Sequence, residues 1–349
     1  MSQTVRVTTE PGYDVHVGAG VLANVAAAAG PSVAVLVDER VQELHGAGLI
    51  GLEDAPRLVV PQGESTKSIG HLAEVLDFLV ASDLDRGSCL VTLGGGVVGD
   101  LGGLAASLFK RGMNVVHAAT TLLAQVDASV GGKTAINLSA GKNLAGTFHQ
   151  PRAVFCDVAL LATLSGDEWR SGLGEVTKTA LIEGEELLGA VERAAPALAA
   201  RDCAGISDIV AGCVAAKARV VSADPTERGL RRALNLGHTF AHGIEYAAGF
   251  GAIPHGVAVA HGLQLALRAS TELGHLADSE LPQRVDALLA ALGLGDPPSY
   301  DPAAVLAAIT HDKKGAVDAP ELVLPVRAGE MALGVRVDMA FLQGLLEEH

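Results

Sequence analysis

Aromatic side chains are scarce in this 349-residue chain: seven Phe, three Tyr and one Trp. So few rings disfavour a stacking platform for RNA or single-stranded DNA. A basic surplus is also lacking. Twenty-five Lys and Arg face 40 Asp and Glu, a formal net charge of −15, whereas a nucleic-acid surface needs cations to displace counterions from phosphates. Cysteine is sparse, and Cys89, Cys156, Cys203 and Cys213 form no C-x-x-C pair; they read as reduced thiols of a cytoplasmic protein. The most apolar window, residues 21–37, is broken by Asn24, Gly30 and Pro31. A span needs roughly 18 uninterrupted apolar residues, so no membrane segment is expected. Residues 1–6 carry no basic stretch leading into an apolar one, so no signal peptide is read there. What is present is a chain 49% hydrophobic, long enough for two domains at about 150 residues each. Lysine occurs only at positions 67, 110, 133, 142, 178, 217, 313 and 314. An acidic chain binds an anion only if such cations gather in one place.

The first half alternates short β-branched runs with helical patterns. Runs over 33–37, 57–60 and 89–93 end at Asp38, Pro61 and Gly94, and between them Ile69, Leu72, Val75, Leu76 and Leu79 share one helical face. Strand, helix, strand at this spacing predicts βαβ units and a mostly parallel sheet. From about residue 167 Ala, Leu and Glu dominate with helical period, broken near Gly184, Asp224, Gly251, Gly274 and Pro297-Pro298; one β-like run stands at 322–324. The expected architecture is an α/β domain over 1–166, Rossmann-like, followed by an all-α domain over 167–349.

The segment Gly94-Gly95-Gly96-Val97-Val98-Gly99-Asp100 follows a predicted strand and opens an apolar helix. Glycines let backbone approach a pyrophosphate, and the helix N-terminus offers free N–H groups. The loop starts late in the chain, and no acidic residue near 120 is placed to hold a ribose, so the pattern by itself decides little. Asp38 and the turn 63–67, containing Glu64 and Lys67, end two other strands, where open α/β sheets bind ligands. Thr120, Thr121, Asp127, then Gly131-Gly132-Lys133-Thr134, then Lys142-Asn143 follow. Gly-Gly-Lys-Thr is not a P-loop, because Asp127 stands where the first glycine is required. A lysine after two glycines still suits an anion. His238 and His242, at i and i+4, share a helix face, and His255 follows; upstream, Glu175 and Lys178 lie one turn apart. One Glu with two His would make a three-ligand catalytic metal site. Which two histidines serve is left open by spacing.

Taken together, six ordered segments resemble the 3-dehydroquinate synthase family of sugar-phosphate cyclases: 94–100, 120–137, 141–146, 174–182, 230–245 and 311–314. The resemblance implies an N-terminal NAD-binding domain and a C-terminal domain holding a divalent metal, Zn or Co. It implies Glu175, His238 and His255 as metal ligands, which moves His242 to the substrate side. Asp38, Glu64, Lys67, Gly95, Gly96, Asp100, Thr120, Thr121, Lys142 and Thr163 match cofactor positions. Arg111, Asp127, Lys133, Asn143, Lys178, Lys217, Arg231, Asn235, His242 and the pair Lys313-Lys314 match substrate positions, with Arg111 contributed by the neighbouring subunit of a homodimer. The implied chemistry is transient oxidation of a secondary alcohol by bound NAD, β-elimination of phosphate, re-reduction and intramolecular aldol closure of a small sugar phosphate.

Departures from the family pattern are Val257, where many members carry Glu, His261 at a usually apolar position, and Ala119, Ser165 and Pro225-Thr226. Val257 is expected to remove an outer partner of the metal ligands. The rivals are another sugar-phosphate cyclase, such as an aminodehydroquinate synthase, and a metal-dependent polyol dehydrogenase of glycerol dehydrogenase type. The dehydrogenase would not need Lys133, Asn143, Lys217 and Arg231 around a phosphate and carboxylate.

Overall fold

A computed structural model of the chain describes residues 2–139, 141–203, 205–249, 252–311 and 320–347. Two compact units emerge: residues 1–165 with 203–226, and residues 166–202 with 227–349.

The first unit is built on strands β1 (Gln3–Val7), β2 (Tyr13–Gly18), β3 (Val33–Asp38), β4 (Arg57–Val60), β5 (Cys89–Gly94), β6 (Asn114–Ala119), β7 (Lys133–Leu138), β8 (Gly141–Phe148) and β9 (Ala153–Asp157). Seven of them form one sheet in the order β1-β2-β9-β6-β5-β3-β4, parallel except for the β1/β2 pair, while β7 and β8 make a separate hairpin. Helices α1 (Val25–Ala29), α2 (Glu39–His45), α3 (Ile69–Ala81) and α4 (Gly96–Leu108) connect the strands. Every residue of β3 is buried, as expected for a parallel strand covered on both faces. Alternation then sorts the chain. Val33, Val35 and Val37 join Val25, Leu49, Val91 and Phe155 in one core, whereas Ala34 and Leu36 join Leu72, Leu79, Leu101 and Leu104 in the other. Thus α3 and α4 cover one face and α1 the opposite one.

The second half begins with α5 (Gly166–Glu183) and α6 (Glu185–Ala199), after which α7 (Ile206–Ala223) returns to the first unit. A single cut after residue 166 misses this return. The amide of Gln3 donates to Asp208 at 2.7 Å, and the Thr8 backbone donates to Ser222 at 2.9 Å. These are partners more than 200 residues apart, which no local pattern signals. The second unit continues with α8 (His238–Ala248), α9 (His255–Glu272), α10 (Leu281–Ala291), α11 (Pro302–His311) and α12 (Met339–Glu347). It is helical rather than all-α, because the run at 322–324 extends into an antiparallel hairpin of β10 (Glu321–Arg327) and β11 (Glu330–Arg336). Among the described residues no helix is long and apolar enough to cross a membrane.

Candidate active site

In the first unit, the chain runs from β3 outward to β4 and then returns to the other side of β3 with β5. The order of the sheet therefore reverses between β3 and β5, and ligands of open α/β sheets bind outside the carboxyl ends at such a point. Val37 pairs with Leu93 there, so Asp38 and the turn Gly94–Gly96 emerge side by side. Gly95 occupies the N-cap of α4 without a side-chain cap, leaving its amides directed at the opening. A Cβ on Gly95 would lie 3.0 Å from Thr121 Cγ2, so glycine keeps the turn tight against the segment that follows β6. Asp38 also caps α2, accepting from the Val41 amide at 2.8 Å. The cleft over this turn is lined by Gly95, Gly96, Asp100, His117, Ser129 and Lys133 among others. Thr120, next to the lining residue Ala119, is 3% exposed, and its hydroxyl oxygen has no hydrogen-bond partner among the described residues.

Lys67 ties three segments together. Its buried ammonium donates to Asp100 Oδ2 at 2.7 Å and to Asn143 Oδ1 at 2.5 Å, with Glu64 Oε1 3.8 Å away. Burial raises the Asp100 carboxyl above its ordinary value, and the Lys67 charge opposes that rise. Glu64 accepts from the Asn137 amide at 2.8 Å, and Asn137 in turn accepts from the Asn143 backbone at 2.9 Å. Asn143 has φ of 56°, a left-handed geometry that Asn tolerates better than most residues. Resemblance divides Lys67 and Asn143 between cofactor and substrate; the structure joins them in one hydrogen bond. Lys217 on α7 donates to the Asp127 carbonyl at 2.7 Å and to its carboxylate at 2.8 Å. Thr163 accepts from or donates to His45 at 2.8 Å, and Lys142 lies on β8, half-buried. Arg111 is not brought to this cleft. It is exposed and follows the C-terminal end of α4, whose 13 residues begin at Gly96; at 1.5 Å per residue that is roughly 20 Å away.

In the second unit, three helices bring one carboxylate and two imidazoles together. Donor atoms of Glu175 on α5, His238 at the start of α8 and His255 at the start of α9 all lie within 4.8 Å of one another. Backbone contact makes this possible. A Cβ on Gly174 would meet the Gly256 carbonyl oxygen at 2.1 Å, and one on Gly262 would meet the Gly237 carbonyl oxygen at 2.2 Å. Gly174, Gly237 and Gly256 each adjoin a donor residue, so α9 approaches both α5 and the start of α8 as closely as bare backbone allows.

Glu175 is fully buried and sits 2.5 Å from Lys178 Nζ, 3.4 Å from His238 Nε2 and 3.2 Å from His255 Nε2. Burial alone would raise its carboxyl; Lys178 and the two imidazoles outweigh that and hold it well below the usual carboxylate range. It is therefore a carboxylate at neutral pH. His238 Nδ1 faces the Leu236 carbonyl at 3.1 Å, and His255 Nδ1 faces Glu245 at 3.2 Å. With Nδ1–H engaged outward, both rings turn Nε2 toward Glu175, the arrangement of metal-binding histidines. Burial favours neutral His255, yet Glu175 and Glu245 lift its pKa to about 10. That attraction for positive charge lies where a cation would sit. Borderline N/O donors of this kind suit Zn2+ or Co2+.

His242 stands beside this set, its ring 5.3 Å from that of His238 and 6.4 Å from that of His255. The i, i+4 spacing alone suggests His238 with His242; packing selects His255 instead. Arg231 is buried at 1% exposure, and Asn235 donates to Glu227 at 2.8 Å. Lys313 and Lys314 lie outside the described residues. Glu245 escaped sequence reasoning. Its signal was position: it follows His238 and His242 at i+7 and i+3 on one helical face. The carboxylate that engages His255 Nδ1 comes from α8, at Glu245, and not from position 257.

A doubly covered parallel sheet with a glycine turn at its point of reversal, in a chain that also carries a buried carboxylate–imidazole donor set, defines a metal-dependent α/β enzyme. Residues 57–171 match the 3-dehydroquinate synthase N-terminal domain and residues 172–315 the C-terminal one. The chain is 42% identical to 3-dehydroquinate synthase of Paracoccus denitrificans (strain Pd 1222), covering 96% of both chains, and 43% identical to that of Azotobacter vinelandii (strain DJ / ATCC BAA-1303), covering 94% and 92%. It superimposes with a TM-score of 0.85 on 2-epi-5-epi-valiolone synthase from Streptomyces hygroscopicus subsp. jinggangensis 5008, solved with NAD+ and Zn2+ bound, at 29% identity over 96% and 95% of the two chains. The chain belongs to the 3-dehydroquinate synthase family.

Proposed function

We propose that this chain converts 3-deoxy-arabino-heptulosonate 7-phosphate to 3-dehydroquinate and phosphate, with NAD and a divalent metal, Zn2+ or Co2+, as cofactors. The observation that carries the reading is the approach of Glu175, His238 and His255 to within 4.8 Å in a chain 42% identical to 3-dehydroquinate synthases over nearly its whole length. When bound, NAD supplies a reversible hydride acceptor and the metal a Lewis acid. Asp38, Glu64, Lys67, Gly95, Gly96, Asp100, Thr120, Thr121, Lys142 and Thr163 hold the cofactor in this reading, which the buried Thr120 hydroxyl, without a hydrogen-bond partner among the described residues, supports. Lys133, Asn143, Lys178, Lys217, Arg231, Asn235, Lys313 and Lys314 bind the carboxylate and phosphate, and Asp127 fixes the Lys217 ammonium. His242, the third imidazole of the cluster, lies on the substrate side and can hold a proton at a ring nitrogen. Arg111 serves the site of a second copy in a cytoplasmic homodimer; its place beyond the far end of α4 supports that assignment.

The test is phosphate release from 3-deoxy-arabino-heptulosonate 7-phosphate by the NAD- and Zn2+-loaded protein, with the absorbance of NADH followed in parallel. Phosphate without net NADH is expected. Steady NADH formation, or no phosphate from fully metallated protein, refutes the proposal. Glucose 6-phosphate, sedoheptulose 7-phosphate and the amino analogue, run alongside, separate the rival cyclases.

A further inference from the structure

Glu245 is 3% exposed and places Oε2 3.2 Å from His255 Nδ1. A carboxylate at that depth loses hydration that a neutral side chain would not. Its position is also directed: α8 carries His238, His242 and Glu245 along a single face, and His255 opens the following helix. The two imidazoles of the donor set are thereby unequal. His238 Nδ1 meets a neutral backbone carbonyl, whereas His255 Nδ1 meets a full negative charge. A charged acceptor forms the stronger hydrogen bond and pushes electron density toward the opposite ring nitrogen.

We propose that Glu245 is a positioning residue of the metal centre: by accepting the His255 Nδ1–H it holds the imidazole in the tautomer that turns Nε2 toward Glu175, and its charge makes His255 the stronger of the two nitrogen donors. With Glu175 it also supplies a second negative charge, offsetting two of the three positive charges of a dication and the Lys178 ammonium. The inference rests on the metal reading of Glu175, His238 and His255, and not on which reaction the centre serves.

Zinc affinity of the full chain, measured by competition with a chromophoric chelator, tests it. Glu245→Gln keeps an acceptor but removes the charge; Glu245→Ala removes both. Affinity is expected to fall in the order Glu, Gln, Ala, with the Gln variant weaker by about 10- to 100-fold. Folded Gln and Ala variants that bind Zn2+ as tightly as the parent overturn the inference. Should both variants fail to fold, ¹⁵N-histidine spectra of the unaltered zinc-loaded protein decide. A slowly exchanging Nδ1–H on a zinc-bound His255 is expected; coordination through Nδ1, or rapid exchange of that proton, overturns the proposal. A parent chain that binds no Zn2+ overturns the metal centre and this inference together. Phosphate release does not enter the measurement, so the fate of the proposed reaction is read separately.

Discussion

Replacing Gly174 with alanine is expected to disable the metal centre while leaving most of the fold intact. The added Cβ would lie 2.1 Å from the Gly256 carbonyl oxygen and 2.7 Å from its carbonyl carbon and Cα. Ordinary contact starts at 3.4 Å, so α5 and α9 must part by about 1.3 Å, because the obstacle is backbone and cannot rotate aside. Two effects oppose each other. Alanine within α5 gains up to about 1 kcal/mol of helix propensity, while overpacking costs about 1–3 kcal/mol, toward the upper end for a backbone collision. A net loss near 1–2 kcal/mol is expected, small enough for the second unit to stay folded. The metal site tolerates far less: ligand distances must hold within about 0.2 Å, and Glu175 and His255 sit on the two helices being separated. Zinc affinity is therefore expected to fall by at least about 100-fold, the scale on which 1 Å displacements disable preorganised sites. Chelator competition on protein with native far-ultraviolet dichroism measures it. Gly344→Ala, where the new Cβ meets nothing within 4 Å, is the control and should bind zinc normally. A folded Gly174→Ala protein with parental zinc affinity would refute the reasoning that backbone contact sets the donor geometry.

Three further outcomes are expected. His238→Ala should lose both bound zinc and turnover; full metal content by atomic absorption would remove His238 from the donor set. His117 is buried, hydrogen-bonded to Thr92 at 2.7 Å, and burial depresses its pKa to about 4. Between pH 6.5 and about 4 the unfolded chain binds this proton and the folded chain does not, so stability falls as pH drops through that window. From pH 7 to pH 5 the loss amounts to about 2 kcal/mol, and His117→Gln should abolish that share in urea titrations at the two pH values; an unchanged pH slope contradicts it. Lys67→Met strands the Asp100 carboxylate and frees Asn143, with an expected cost of about 2–3 kcal/mol and weaker NAD binding by calorimetry. Unaltered stability and affinity would show that the Lys67 bridge carries neither.

Much of this protein was legible residue by residue. The strands ending at Asp38 and Gly94 and the helix over 69–81 follow from apolar runs and from 3.6-residue periodicity, because those patterns depend on chain neighbours. The breaks at Gly184 and Asp224 fall at the end of a helix or the start of one, for the same local reason. The family resemblance assigns seven of the eight lysines to cofactor or substrate, and on that assignment a net charge of −15 is compatible with an anionic ligand. Net charge excludes a broad basic face, not a focused pocket.

Tertiary structure alone decided the rest. Spacing on α8 favours His238 with His242, yet the donor set takes His255, because α9 meets α5 at Gly174 and Gly256 and carries His255 to Glu175. Glu245 becomes part of that centre only when α8 and α9 fold back on one another. Likewise α7 joins the first unit through Asp208, Lys217 and Ser222, and Lys67 meets Asn143 across 76 residues of chain. In each case the partners are distant in sequence, and their meeting is set by how closely helices and loops can pack. Periodicity reports which face of a segment is buried; only packing reports what that face is buried against.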